Sequence, residues 1–323
     1  MAKKTKKIIF SILPIALGVF LVWWMFSKLS DSDIESVKTA FQNAHYFWVF
    51  LSLFLGLLSH LSRAYRWSFL LEPLGYKPKF WNSVFTIFTA YLVNLLIPRA
   101  GELVRVTEIS TYEDIPFDKA FGTVVAERVV DVIMLLLIIL TAFFFQFDLL
   151  SELFLSKLPS HPIFLMLLGI LVIGLATLFL YLVRTSELSF FKKIRNFTSG
   201  LHDGVVSIFR MKKRGAFLFH TLFIWMMYLA MFYVVAFAFP ETSSLSFGAV
   251  ITGFVVGAFS MAATNGGLGT YPIGVQQILI LYGIAENPAL AFGLLMWSAQ
   301  TSMVVLFGGL SFLALPLFNR EKE

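Results

Sequence analysis

The sequence predicts an all-α polytopic membrane protein, and two observations support this fold class. Of its 323 residues, 58% are hydrophobic and only 14% are charged, a balance that excludes a water-soluble globule. The same balance excludes a disordered chain, which has few large apolar residues and many charges. The second observation is a series of apolar runs long enough to cross a bilayer, for which a helix needs about 20 residues.

Six of these runs are predicted to be full transmembrane helices. They cover residues 8–26, 46–70, 120–145, 162–184, 216–239 and 287–316. The first run follows four lysines, as in a signal peptide, but it ends in WWMF at 23–26 without a small-residue cleavage site, so we interpret it as a retained anchor. Residues 1–323 are therefore predicted to form a single transmembrane domain with a membrane region at 8–316. A short capped helix at 30–44, just before the second span, is predicted to lie at the membrane interface.

The placement of basic residues predicts how the chain is oriented. With six spans, 18 of the 25 Lys and Arg residues, Arg63 and Arg66 among them, fall on the segments and span ends of one side, and three fall on the other. Because cytoplasmic loops are enriched in Lys and Arg, both termini are predicted to be cytoplasmic. The longest polar stretch, 185–215, is predicted to be a basic cytoplasmic loop, either an amphipathic helix on the inner leaflet or a plain positively charged connection.

Two further apolar stretches, 80–98 and 246–284, must each start and finish on one side of the membrane if there are six spans. Both are interrupted by Pro and Gly, so we predict two re-entrant helical hairpins that enter from opposite faces. Irregular backbone at membrane depth must be buried in protein or line a cavity, and the hairpin tips are therefore expected to meet inside the bundle. Paired broken segments also indicate an inverted repeat. The alternative is that 80–98 and 246–264 are ordinary spans, giving eight.

The first cluster of chemically informative residues is PRAGELVR at 98–105. The Pro and Gly101 favour a break in the helix, with Gly101 permitting an unusual turn. The restarted helix would place Glu102 and Arg105 on one face, with Arg99 at the break. A helix start combined with a guanidinium predicts an anion site of the phosphate-binding type.

The second cluster is AERVVD at 126–131, at the entry to an apolar span. Glu127, Arg128 and Asp131 share one helical stripe, in which two acids face one Arg. We expect Arg99 or Arg105 to compensate the surplus negative charge. The alternative for both clusters is a set of structural ion pairs.

The third cluster is NGGLGTYP at 265–272, in which Asn265, Gly266, Gly267 and Gly269 precede a helix start. The exposed amides of such a loop can form an anion-binding concavity. Close packing of membrane helices is the alternative role of these glycines.

Together, PRAGELVR, AERVVD and NGGLGTYP resemble the lysylphosphatidylglycerol synthase transmembrane family, also called the flippase-like domain family. The resemblance extends over about residues 8–316. It implies a multi-pass protein of the bacterial inner membrane that moves a lipid between leaflets. Bifunctional members carry an additional soluble synthase domain that uses charged tRNA, and because none follows in this sequence, synthase activity and nucleic-acid binding are not expected.

The leading hypothesis is therefore a lipid translocase whose partner is an anionic or aminoacylated phospholipid or a polyprenyl phosphate. Arg99 and Arg105 would hold the phosphate, Glu102, Glu127 and Asp131 would position them or bind an amine, and the 265–269 loop would supply amides. The alternative is a non-transporting accessory protein that binds lipid or organises an envelope complex. The sequence has no Cys, and its five His residues lack metal-ligand spacing, so no metal, cofactor or enzymatic activity is predicted. A homo-oligomer is compatible with these features.

Overall fold

The computed structural model describes residues 30–97, 99–147, 181–192 and 211–320, together with residues 20, 23, 27, 174, 177–179, 194 and 195. Every regular element in this part of the chain is helical. The chain divides into two compact units, one formed by 1–127 with 215–323 and the other by 128–214. Nearly all of the predicted span 8–26, most of the predicted span 162–184 and about half of the predicted loop 185–215 lie outside the described residues.

Nine α-helices have both of their ends within the described residues. In chain order they are α1 Asp31–Asn43, α2 Tyr46–Leu71, α3 Phe80–Leu96, α4 Gly101–Glu113, α5 Phe117–Phe145, α6 Arg214–Val235, α7 Phe247–Ala263, α8 Thr270–Leu281 and α9 Glu286–Phe318. Short 3-10 turns cover Glu72–Leu74, Ala236–Ala238, Pro240–Thr242 and Asn265–Gly267.

Four of the described helices are long and apolar enough to cross a membrane. They are Tyr46–Leu74, Phe117–Phe145, Arg214–Ala238 and Glu286–Phe318. These helices coincide with four of the six predicted spans and show a multi-pass helical membrane protein. The total of six spans stays a prediction.

Helices α3 and α7 are apolar but shorter, with 17 residues each. As the sequence predicts, each is followed by a break and a second helix that packs back against it, so that α3 pairs with α4 and α7 with α8. Helix α9 contacts both α3 and α8 and therefore lies alongside both hairpins. This contact is close, because a Cβ added at Gly293 of α9 would lie 2.7 Å from the carbonyl oxygen of Pro272 in α8. Small residues at such crossings let membrane helices approach each other.

The predicted interfacial helix is present as α1. Ser30 and Asp33 form a capping box at its start, and Asn287 at the start of α9 donates a hydrogen bond of 2.9 Å to the Asp33 carboxylate. Hydrogen bonds from the Ser30 and Asn287 side chains lower the pKa of Asp33 to about 2. The carboxylate therefore stays ionised and ties α1 to α9 at all ordinary pH values.

Two apolar cores in the first unit position the site. One joins α6, α8 and α9 around Phe232, Val275 and Phe292. The other joins α2, α4 and the start of α5 around Trp67 and Ile109. The second core holds three helices together beside the charged residues described next.

Candidate functional site

Three arginine side chains from two helices converge on Glu127 of a third helix, and we call these four residues the Glu127 cluster. The Glu127 carboxylate of α5 lies 2.6 Å from Arg63 Nη1 and 3.3 Å from Arg66 Nη2, both on α2, and 3.0 Å from Arg105 Nη2 on α4. None of these four side chains is more than 4% exposed. Three guanidinium groups thus surround one carboxylate in a site shielded from solvent.

Neighbouring polar and aromatic groups hold the guanidiniums in place. Arg66 Nη1 donates a hydrogen bond of 3.0 Å to the Thr221 hydroxyl of α6. The Arg105 guanidinium stacks over the ring of Trp67, 3.8 Å from its centroid, and the Trp67 indole N–H donates to Thr123 Oγ1 at 2.9 Å. A planar guanidinium suits such stacking better than an ammonium would, so this position is specific for Arg.

The Glu127 cluster confirms one expectation and corrects another. Of the two arginines expected to compensate the acids of the second motif, Arg105 does so. Arg63 and Arg66 were counted among the basic residues that set orientation, but the structure buries both against Glu127. A signal was present in the sequence, since both arginines fall inside the predicted span 46–70, where a basic residue costs about 2.5–3.5 kcal/mol and requires a partner.

The other two charged residues of the second motif lie in the second unit: Arg128 directly follows Glu127, and Asp131 comes one turn later on α5. There Arg128 Nη1 is 3.6 Å from Asp131 Oδ2. The Arg128 side chain is 40% exposed, whereas that of Asp131 is 10% exposed. The predicted stripe is therefore divided: Glu127 joins the buried arginines, and Arg128 and Asp131 bridge each other.

The break between α3 and α4 differs in detail from the prediction. The residue with an unusual backbone conformation is Arg99, whose φ is 62°, and not Gly101. Gly101 is needed for close approach instead, because a Cβ there would overlap the carbonyl oxygen of Ala90 in α3. The Gly101 N–H donates a hydrogen bond of 2.8 Å to Asn94 Oδ1, so one of the amides predicted to be available at this helix start is occupied. Arg99 is exposed at the tip.

Glu102, on the first turn of α4, is half-buried. Its Oε2 atom is buried and has no hydrogen-bond partner among the described residues. Arg105, its neighbour one turn along α4, instead contacts Glu127, so the structure does not pair Glu102 with Arg105 as the shared face suggested.

The break between α7 and α8 is built from glycines in the left-handed region, as its composition predicts. Gly266, Gly267 and Gly269 have φ values of 59°, 73° and 73°. Only glycine adopts these values without strain. Three in so short a loop let the chain reverse within a few residues.

The two hairpin tips meet, as predicted. Asn265 Nδ2 donates a hydrogen bond of 3.2 Å to the carbonyl oxygen of Leu96, and a Cβ on Gly266 would overlap the Leu95 side chain. The Trp297 indole N–H on α9 donates to the Gly266 carbonyl at 2.8 Å. We call this contact between residues 95–96 and 265–266 the tip junction.

Comparison with known proteins bears on the whole chain. Residues 11–308 match the family described as the lysylphosphatidylglycerol synthase TM region. A UPF0104 membrane protein of Methanocaldococcus jannaschii is 26% identical over 215 residues, which cover 58% of this chain and 63% of the relative. A UPF0104 membrane protein of Pyrococcus horikoshii is 26% identical over 167 residues, which cover 50% of this chain and 48% of the relative.

The matched regions thus span about half to two thirds of these relatives. No solved structure matches the chain significantly. The resemblance predicted from the three motifs is confirmed.

Proposed function

We propose that this chain, which belongs to the lysylphosphatidylglycerol synthase TM region family, moves a phospholipid or another lipid phosphate between the leaflets of its membrane. The observation that carries the proposal is the tip junction, where two broken helices meet. Broken helices that meet at a shared site are the arrangement by which many transporters bind a charged substrate within the membrane. The proposal takes both hairpins to be re-entrant and the protein to act without enzymatic chemistry.

The tip junction has the electrostatics to attract a phosphate. Helix α4 begins at Gly101 and helix α8 at Thr270, each a few residues from the contact between Leu96 and Asn265. A helix start carries a positive partial charge, and two such starts reinforce each other. Arg99, exposed between α3 and α4, adds a full positive charge. In this proposal Arg99 meets the phosphate first.

The Glu127 cluster would take part as the inner end of the same path. Arg105 lies one helical turn after Gly101, so α4 connects the tip junction to the cluster. Three guanidiniums share the single carboxylate of Glu127, and a lipid phosphate could replace that carboxylate as the partner of one of them. Such an exchange would make lipid binding and helix position depend on each other. The half-buried carboxylate of Glu102 is then a candidate to contact an amine on the headgroup.

Reconstitution into liposomes tests the proposal. The assay measures the rate at which labelled phosphatidylglycerol, lysylphosphatidylglycerol or a polyprenyl phosphate becomes accessible from the other leaflet. The informative variant is Arg99→Gln and its matched control is Lys119→Gln, because both side chains are exposed and neither substitution disturbs the core. We expect Arg99→Gln to move lipid about tenfold more slowly than the wild type, because it loses a charge-assisted hydrogen bond to the phosphate. Lys119→Gln should move lipid at the wild-type rate. If the wild type matches empty vesicles for every lipid, the proposal fails.

The second candidate is a non-transporting accessory protein. The near-complete burial of the Glu127 cluster favours it, since ion pairs so enclosed can serve folding alone. On this alternative Arg105→Gln lowers stability and expression without ever giving a folded, inactive protein. A well-folded Arg105→Gln variant that has lost lipid movement would exclude it.

The predicted sidedness belongs to the same proposal, with both termini on the cytoplasmic side of a bacterial inner membrane. Because the sequence has no Cys, a single cysteine introduced at Lys77 or at Glu241 can report on it directly. A membrane-impermeant thiol reagent added to intact cells should label the second position and not the first. The reverse pattern would invert the topology.

A further inference from the structure

A groove separate from the Glu127 cluster lies between α4 and the last turns of α9. Its volume is about 540 Å³, which is within the range of small-ligand sites. Most of its lining is apolar, with Leu313 and Leu317 among the exposed side chains. Three polar residues also line it, namely Glu108 and Tyr112 of α4 and Arg320 just after α9. The groove thus combines one carboxylate and one guanidinium with an apolar wall.

No hydrogen bond or ion pair engages the Glu108 carboxylate within the described part of the chain. Its Oε2 atom is buried and lacks a hydrogen-bond partner there. No ion pair among the described residues joins Glu108 to Arg320, although both line the same groove. A buried carboxylate oxygen without a partner is costly, and a ligand that donates hydrogen bonds would remove this cost.

The walls of the groove are held in a fixed position by a neighbouring set of hydrogen bonds. The side-chain amides of Asn82 on α3 and Asn319 after α9 exchange two hydrogen bonds, of 3.0 and 2.9 Å. Glu113 at the end of α4 accepts hydrogen bonds from the Asn82 side chain and from the backbone N–H of Lys79. The ends of α4 and α9 are therefore linked through α3, and the groove is formed without a ligand.

We infer that this groove binds the headgroup of a phospholipid that carries a primary ammonium group beside its phosphate. Glu108 accepts hydrogen bonds from the ammonium, and Arg320 donates to the phosphate. The acyl chains lie along the exposed side chains of Leu313 and Leu317, which are 63% and 55% exposed. The charges are complementary, because a zwitterionic headgroup carries one charge of each sign and the groove is lined by one acid and one base.

The inference concerns equilibrium binding and does not depend on lipid movement. Phosphatidylglycerol satisfies Arg320 but offers the Glu108 carboxylate only neutral hydroxyl groups, which bring no positive charge to pair with it. A quaternary ammonium supplies positive charge but donates no hydrogen bond. The groove should therefore prefer a primary amine over both.

The test is a competition between phosphatidylethanolamine and phosphatidylglycerol with identical acyl chains. The purified, delipidated full-length protein is mixed with equal amounts of the two, and the bound lipids are identified by native mass spectrometry. We expect the wild type to retain the amine lipid at least about tenfold in excess, the value of one charge-assisted hydrogen bond. Glu108→Gln should bring the ratio close to one, and Arg320→Gln should lower retention of both lipids.

Glu286→Gln is the matched control, since Glu286 is an exposed acid at the opposite end of α9. It should retain the wild-type ratio. Because Glu108 has no described partner, Glu108→Gln should also unfold at the wild-type temperature or above it. Equal retention of the two lipids by the wild type, a wild-type ratio in Glu108→Gln, or an equal fall in Glu286→Gln would overturn the inference. None of these outcomes bears on the translocase assay.

Discussion

Glu127→Gln is expected to destabilise the protein strongly. The substitution keeps the size of the side chain but removes the carboxylate that Arg63, Arg66 and Arg105 contact at 2.6, 3.3 and 3.0 Å. Breaking one buried ion pair costs about 3–5 kcal/mol, because the remaining charge stays desolvated. Here three guanidiniums lose the same acceptor, while the Gln carbonyl preserves one weaker hydrogen bond. We therefore expect a loss of about 3–5 kcal/mol, which at roughly 2 °C per kcal/mol corresponds to about 6–10 °C.

The measurement is the temperature at which the detergent-solubilised protein loses its monodisperse peak in size-exclusion chromatography. Asp118→Asn is the control, since Asp118 is an exposed acid on the first turn of the same helix. It should shift the midpoint by only about 1–2 °C. A Glu127→Gln midpoint equal to that of Asp118→Asn would refute the cluster as an energetic unit.

A second-site variant tests the electrostatic cause. In the Glu127→Gln background, Arg63→Gln removes one of the guanidiniums that have lost their acceptor. It should recover about 1–3 kcal/mol of stability, although Arg63→Gln alone is destabilising. Strict additivity of the two substitutions would contradict the explanation.

Two further predictions concern the first hairpin. Gly101→Ala should open the contact between α3 and α4 and lower stability by about 1–3 kcal/mol, because its Cβ would overlap the carbonyl oxygen of Ala90. The control is Gly122→Ala, at an open helical position, which should be neutral or stabilising in the same thermal assay. Arg105→Lys keeps the charge but loses the planar contact with Trp67, so it should lower the stability of the protein by about 1–2 kcal/mol in the same thermal assay. Equal midpoints for the two glycine variants, or a wild-type midpoint for Arg105→Lys, would contradict these contacts.

Much of the fold is predictable from the sequence because length and hydropathy decide it. The runs 46–70, 120–145, 216–239 and 287–316 all appear as helices of membrane length, since an apolar helix must satisfy its backbone internally. The two broken segments are also predictable, because Pro and Gly mark where a helix cannot continue. Whether each hairpin is re-entrant depends on its depth in the bilayer, which stays part of the proposal.

The site is predictable only in part. The pairing of Arg105 with Glu127 follows from charge balance between motifs that are 22 residues apart. The part played by Arg63 and Arg66 does not, because positive charge near the end of a span also sets orientation, and only tertiary packing distinguishes the two roles. The left-handed residue at the first break is likewise a tertiary outcome, since Arg adopts a positive φ only when its surroundings enforce it.

If lipid passes through the tip junction, as proposed, the junction must open during transport, and locking it tests this central claim. An ideal Cβ at Gly266 lies 3.8 Å from Leu95 Cγ, which brings Leu95→Cys and Gly266→Cys within reach of a disulfide, and the chain has no other cysteine. The positive φ of Gly266 strains a side chain there, and the single variant Gly266→Cys measures the effect of that strain alone. Each single-cysteine variant serves as the control. The measurement is the rate of lipid movement in liposomes, before and after reduction.

The account predicts that wild type exceeds empty vesicles, that the oxidised double variant falls to the level of empty vesicles, and that reduction restores its rate to that of the single variants. Equal rates in the oxidised and reduced forms would contradict it.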